Sequence, residues 1–330
     1  MNRLVIIDGN AILHRAFHAL PPLTDPEGNV VNAVYGFTTM MLRIFTDLAP
    51  KYIAVTFDRA APTFRKEMFA SYQAHRPKMD DDLIPQVDKV HDVVKAMGLP
   101  VFEMDGFEAD DVIGTICKKI EDGRQKTENM IDQVIIVTGD RDILQLVEEG
   151  KVFVYMPTKG LSESKLYGEK ETLERMGVTP KQIPDFKALA GDASDNYPGV
   201  GGIGPKTAVN LLTEFGTVEN LYLQGEKGKW GKTGEKVIEK LISGKESALL
   251  SHQLATIRRD VPIEIELKEI KAIDTPEVRA SLMKFGFKSI ITRMDKMKEG
   301  KSKSFYAKDP DQTKKKVKVD PEDAGQQSLF

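Results

Sequence analysis

Three short apolar runs, at residues 4–7, 53–57 and 134–138, most limit what this chain can fold into. Each leads at once, or after one glycine, into an aspartate: Asp8, Asp58 and Asp140. Runs of this length and apolarity read as buried strands. Between them, residues 33–48, 83–97 and 109–120 carry helical periodicity, and the alternation predicts an α/β fold with a mostly parallel central sheet flanked by helices. In such sheets ligands bind at the carboxyl ends of the strands, so the three aspartates should converge on one site.

From about residue 170 the strand signal fades. Short helical patterns at 169–176, 180–190 and 206–215, separated by Gly and Pro, predict a smaller helical subdomain over 171–292 behind an α/β domain over 1–170. Residues 293–330 turn to Lys, Ser, Asp and Gln with few apolar positions and read as a tail without fixed structure. With 41% hydrophobic and 29% charged residues the bulk is globular, and no apolar run approaches the roughly 20 residues that cross a bilayer, so the expected location is the cytoplasm. The single cysteine, Cys117, lies on a helical stripe with Ile113, Ile116 and Ile120; it excludes an internal disulfide framework and reads as a core thiol.

The chemistry lies in the acidic residues, which recur in five contexts. IIDGN holds Asp8, TFDRA holds Asp58, GFEADDVIG holds Glu108, Asp110 and Asp111, TGDRDILQL holds Asp140 and Asp142, and AGDASDN holds Asp192 and Asp195 about one helical turn apart. Any one alone is an ordinary turn residue or helix cap. Nine in one pocket repel by several kcal/mol per close pair, at about 4 Å and an effective dielectric of about 20, and require divalent cations. Oxygen-only ligands point to Mg²⁺, with Mn²⁺ able to replace it, since the histidines and the one cysteine make no zinc spacing. Two or more ions so placed would activate water and neutralise a scissile phosphate. The formal net charge of -3 is a weak objection to a nucleic-acid partner, because nine carboxylates gathered in one site leave the rest of the chain net positive.

In the order IIDGN, TFDRAAPTFR, GFEADDVIGT, TGDRDILQL and GDASDNYPGVGGIGPKTA, residues 1 to about 290 resemble the 5′→3′ exonuclease domain of bacterial DNA polymerase I and the wider flap endonuclease family. The resemblance implies a PIN-like 5′ nuclease core, a helical arch near 59–85, and a helix-hairpin-helix near 192–215. It implies that all nine acidic residues hold metal. The expected reaction is hydrolysis of DNA or RNA-primer phosphodiesters at 5′ flaps and nicks, for primer removal and repair, by a monomer.

In the arch, Arg65, Tyr72, Gln73, Arg76 and Lys78 are the expected DNA contacts, basic groups holding a strand and aromatics offering stacking faces. Relatives are expected to carry Tyr-Lys before the Ala and Arg of this segment, whereas here Gln73 follows Tyr72, which leaves weaker charge stabilisation at that point. Gly199, Gly201, Gly202, Gly204, Lys206 and Thr207 form the expected backbone-gripping loop, in relatives often with a monovalent cation such as K⁺. The end of the chain, with Gln326, Leu329 and Phe330, is similar to peptides that dock bacterial replication proteins on the sliding clamp. Such an ending favours a free-standing exonuclease over a fragment of a polymerase. Two other readings stay open: a DNA-junction binder whose catalysis is attenuated at Gln73, and a related nuclease acting on structured RNA.

Overall fold

The computed structural model describes residues 1–298 other than 125, 126, 128, 160–162 and 271, so the tail and its Gln326, Leu329 and Phe330 lie outside the described residues. Its centre is one six-stranded sheet in the order β3-β2-β1-β4-β5-β6. The strands are β1 (Arg3–Asp8), β2 (Tyr52–Thr56), β3 (Val101–Phe102), β4 (Gln133–Val137), β5 (Val152–Lys159) and β6 (Glu163–Tyr167). The first five run parallel and β6 closes the edge antiparallel to β5. The three apolar runs are the central strands β2, β1 and β4, and β1 is where the strand order reverses. That is the position at which parallel sheets open a crevice.

Side-chain alternation divides the core into two layers. Leu4, Ile6, Ala54, Val134 and Ile136 face α5 (Ala109–Glu121) and beyond it α7 (Ile183–Ala190) and α8 (Pro205–Phe215). Val5, Ile7, Ile53, Val55, Ile135 and Val137 face α1 (Gly9–Ala19), α2 (Asn32–Leu48) and α4 (Ile84–Ala96). Cys117 is buried in the first layer, where desolvation pushes its thiol up to about 12. It is a core thiol, as its stripe implied.

Of the segment expected as a helical arch, α3 (Phe64–Met68) and the first two residues of α4 are helical, and turns follow α3 to Arg76. Gln73 sits in the left-handed region at φ 55° and Pro77 follows Arg76, so a helix cannot continue there. The helical second half comprises α6 (Glu169–Met176), α7, α8, α9 (Val218–Glu226), α10 (Glu235–Ser243) and α11 (Lys245–Ala255). The chain then returns along α5, with the Arg258 amide donating to Asp111 and the Val261 amide to Thr115. A Cβ on Gly114 would lie 2.8 Å from the Arg258 carbonyl, so glycine is what lets this strap lie flat on α5. Beyond it, α12 (Pro276–Lys284), α13 (Lys288–Lys298) and the link between them bury Val278, Leu282, Phe287 and Ile290 in the opposite layer. These last helices therefore pack on the α/β core, not on the helical half with which sequence order grouped them. Among the described residues no helix is long and apolar enough to cross a membrane.

Candidate active site

The carboxyl ends of β1, β2 and β4 open into a cavity of about 780 Å³, roofed by residues 59–79. Asp8 caps α1: one oxygen accepts from the Ala11 amide at 2.9 Å and the other from the Thr138 hydroxyl at 2.6 Å. Asp58 accepts from the Ala109 amide at 2.8 Å, which ties the end of β2 to the start of α5. Asp140 accepts from the Asp142 amide at 2.8 Å, folding the loop after β4 back on itself. Asp110, in the first turn of α5, and Glu108, just before it, complete the acid wall.

The electrostatics mark this group as short of positive charge. Asp8 is 4% exposed, and burial followed by the charges of Asp58 and Asp140 pushes its carboxyl up to about 7, against the pull of its two hydrogen bonds. Burial likewise lifts Glu108 to about 7, although Arg65 works the other way. Asp110 is held well above the usual carboxylate range by burial and then by Asp140, Asp8, Glu108 and Asp58. Among the described residues no Lys or Arg forms an ion pair with Asp8, Asp58, Asp110 or Asp140. An all-oxygen donor set with uncompensated charge fits hard divalent cations.

A second acidic group lies beside the first. Asp142, Asp192 and Asp195 offer oxygens all within 4.8 Å of one another. This group is compensated: the Lys187 ammonium lies between Asp142 and Asp192, and Arg76 pairs with Asp195 at 2.5 Å. Burial opposes a low value for Asp192, but Lys187 and Ser194 overcome it and hold that carboxyl below its ordinary range. Burial carries Asp142 up to about 7 in spite of Lys187.

Two residues expected at the pocket are turned to other work. Asp111 is fully buried behind the wall, where its two oxygens take the Arg65 guanidinium at 2.7 and 2.8 Å and the amides of Glu108 and Arg258. Arg65, 2% exposed, also donates to the carbonyls of Leu254 and Thr256. The expectation that Asp111 holds an ion and Arg65 holds DNA is thus corrected: the pair is a strut joining α3, α5 and the end of α11. Adjacent helix positions point about 100° apart, so with Asp110 turned to the cavity Asp111 turns into the core toward Arg65.

Tyr72 also differs from the expectation of an open stacking face. It is 3% exposed, lies parallel to Tyr197 with ring centroids 6.4 Å apart, and donates to Glu108 and Asp195. Gln73 lines the cavity and its amide donates to the Asp195 carbonyl, while Lys78 is exposed away from the cavity lining. Lys66, one of the basic groups of the 59–82 segment, lines the cavity, as do His14 and Asn10, which were not singled out in the sequence; nor was Lys187.

In the glycine loop, Gly199 has φ 60° and a Cβ there would stand 2.2 Å from the Gly191 nitrogen, so this glycine serves close packing. Gly201, Gly202, Gly204 and Lys206 are exposed, Thr207 is half-buried, and Gly204 caps α8 with the helix N-terminus open to solvent. Lys240, unnoticed in the sequence, donates to the Gly202 carbonyl at 3.1 Å.

An all-oxygen acid wall short of positive charge, at the reversal point of a parallel sheet, fits the class of metal-dependent hydrolases. Residues 3–177 match the N-terminal resolvase-like domain of 5′-3′ exonucleases, and residues 178–277 match their C-terminal SAM fold. The chain belongs to the 5′-3′ exonuclease family. It is 35% identical to a 5′-3′ exonuclease of Aquifex aeolicus over 299 residues, covering 90% of this chain and 96% of that one. It is 40% identical to DNA polymerase I of Bacillus caldotenax over 295 residues, 89% of this chain and 32% of that protein. The chain thus spans about a third of the length of the DNA polymerase I relatives it matches. In fold it is similar to the T5 5′-exonuclease with bound divalent metal ions, at TM-score 0.63 and 23% identity over 77% of this chain and 89% of that one. It is also similar to the catalytic core of Rad2 in complex with DNA substrate, at TM-score 0.54 and 15% identity over 86% and 87%.

Proposed function

We propose that the chain is a structure-specific 5′ nuclease that hydrolyses phosphodiesters of DNA flaps, nicks and RNA primers with divalent cations, Mg²⁺ first among them. The observation that carries this reading is the group Asp8, Asp58, Glu108, Asp110 and Asp140, gathered at one sheet edge, where among the described residues only Glu108 has a basic partner, Arg65. The Aquifex relative, a 5′-3′ exonuclease matched over nearly its whole length, supports it.

Asp8, Asp58, Glu108, Asp110 and Asp140 would hold the ions, whose chemistry when bound would be the activation of water at neutral pH and the neutralising of charge on the scissile phosphate. The protein's own groups do the rest. Arg76, Lys66 and the Gln73 side chain line the roof opposite the acid wall, where they meet the phosphate backbone of an entering strand. Tyr72 holds Glu108 and Asp195 in place from behind. The open N-terminus of α8, with Lys206, binds duplex phosphates further along. Lys240 already brings a cation to the Gly202 carbonyl, so the K⁺ implied by the family gains no support there. Primer removal in replication and repair by a cytoplasmic monomer, with clamp docking through Gln326, Leu329 and Phe330, completes the reading.

The test is cleavage of a labelled 5′-flap DNA with Mg²⁺ and with EDTA, binding being followed in parallel. Metal-dependent cutting near the junction is expected; tight binding with no cutting in either Mg²⁺ or Mn²⁺ would overturn the proposal in favour of a junction binder. For the α8 contact, Lys206→Ala is expected to weaken DNA binding for all sequences alike and to lower the slope of log K against log salt by about 1, with the rate at saturation unchanged. A saturating rate that drops instead would place Lys206 at the chemistry.

A further inference from the structure

Five basic side chains line the cavity with the acid wall, and four of them bring no free charge to it. Arg59 pairs with Glu103 and Asp105, Arg65 with Asp111, and Arg76 with Asp195. His14 is half-buried, and burial, then the charges of His18 and Arg76, hold its imidazole below its ordinary value and so favour the neutral form. Lys66 is the exception. Its ammonium donates to the Tyr72 carbonyl at 2.7 Å, a neutral acceptor, and among the described residues it forms no ion pair.

The place of Lys66 follows from its neighbour on α3. The Arg65 guanidinium, tied to Asp111 and to the carbonyls of Leu254 and Thr256, fixes that short helix to the core. Adjacent positions point about 100° apart, so a buried Arg65 leaves Lys66 exposed at the cavity. There its ammonium lies on the peptide that joins Tyr72 to Gln73. The Tyr72 hydroxyl reaches both acidic groups, at Glu108 and Asp195, and the uncharged Gln73 side chain lines the cavity. The carbonyl takes one of the three ammonium donors, and a phosphate oxygen can take another.

Building on the 5′ nuclease reading above, we propose that Lys66 is a catalytic contact of this chain: from the roof its ammonium binds the phosphate under attack and stabilises the charge developing there, a role the uncharged Gln73 beside it cannot fill. In the reaction the attacking water gives up a proton to solvent and its oxygen bonds to phosphorus. The bond from phosphorus to the leaving oxygen breaks, and that oxygen takes up a proton. Lys66 forms no covalent bond and keeps its protons. Its charge is available as soon as a strand enters, whereas Arg76 would first have to leave Asp195.

The experiment measures cleavage of the labelled 5′-flap DNA in Mg²⁺ by wild type, Lys66→Arg, Lys66→Met and Lys66→Met/Gln73→Lys. Saturating rate and KM are separated, and melting temperatures are taken in parallel. The expected result is a saturating rate about 10- to 100-fold lower in Lys66→Met, with KM and melting temperature close to those of wild type. Lys66→Arg should keep most of the rate, and adding Gln73→Lys should restore much of it to Lys66→Met by supplying the charge from the neighbouring position. A Lys66→Met variant that keeps the wild-type saturating rate and only raises KM would overturn the inference and leave the nuclease reading intact, because Lys66 would then bind substrate and transition state alike. So would a lost rate that comes with a lower melting temperature and that Gln73→Lys does not restore, since Lys66 would then only brace the turn at Tyr72. A wild type that binds the flap without cutting it would overturn both.

Discussion

Replacing Asp110 with asparagine is expected to cut the rate of flap cleavage by about 100-fold or more, on the order of 3 kcal/mol of transition-state stabilisation, while making the metal-free protein more stable. The two effects have one cause. Asp110 is packed among Asp140, Asp8, Glu108 and Asp58, with burial as the largest penalty on its charge, and among the described residues no hydrogen bond to its carboxylate offsets this. Its place in the first turn of α5 favours an acid by about 1–2 kcal/mol, which is the smaller term. Without an ion the carboxylate is therefore a net repulsion, and with an ion it is a ligand.

The same logic fixes a pH dependence. Asp8 and Asp142 are raised from 3.8 to about 7, and Glu108 from 4.5 to about 7. Between their unfolded and folded values the folded chain holds more protons than the unfolded one, so stability falls as pH rises through that window. Thermal melts of the metal-free wild type should accordingly drop from pH 5 to pH 8, and Mg²⁺ should restore most at pH 8. Asp110→Asn should show a higher melting temperature than wild type at pH 8 without metal. A variant that melts lower there, or that keeps the wild-type cleavage rate, would mean that Asp110 is not one of the ion-holding acids.

Much of this was legible in the sequence, for reasons specific to parallel sheets. An apolar run ending in an aspartate gives the strand, its direction and the place of its last side chain together, and so Asp8, Asp58 and Asp140 could be brought to one edge without coordinates. What stayed hidden depends on partners remote in the chain. Lys187 meets Asp142 across 45 residues, and Arg65 meets Leu254 across 189. No local pattern reports such pairs, though a lysine at the buried register of α7 was a sign of an internal partner. The strands β3, β5 and β6 were missed: β3 is two residues long, and the exposed, polar β6 lacks the apolar signature on which β1, β2 and β4 were found. The helix α1 was missed for a different reason: Asp8 was read as a strand terminus, and it is also the cap that begins the helix.

Arg65→Ala is expected to destabilise the protein by about 3–5 kcal/mol, because it leaves Asp111 charged in a fully buried position with its main partner gone. For a chain of this size that corresponds to a fall in melting temperature of about 4–7 °C. The loss should exceed that of a surface ion pair several-fold, since the guanidinium also donates to the carbonyls of Leu254 and Thr256 and so joins α3 to the end of α11. Substituting both partners, Arg65→Met with Asp111→Leu, removes the stranded charge and is expected to cost clearly less than the two single changes added together. The roof over the acid wall hangs from this strut, so cleavage should fall in Arg65→Ala along with stability and recover in part in the double variant. A DNA contact would behave in the opposite way: affinity and its salt dependence would drop at an unchanged melting temperature, and changing Asp111 as well would rescue nothing. Melting curves and DNA titrations of the three variants separate the two, and an unchanged melting temperature in Arg65→Ala would return Arg65 to the DNA-binding role that its sequence context suggested.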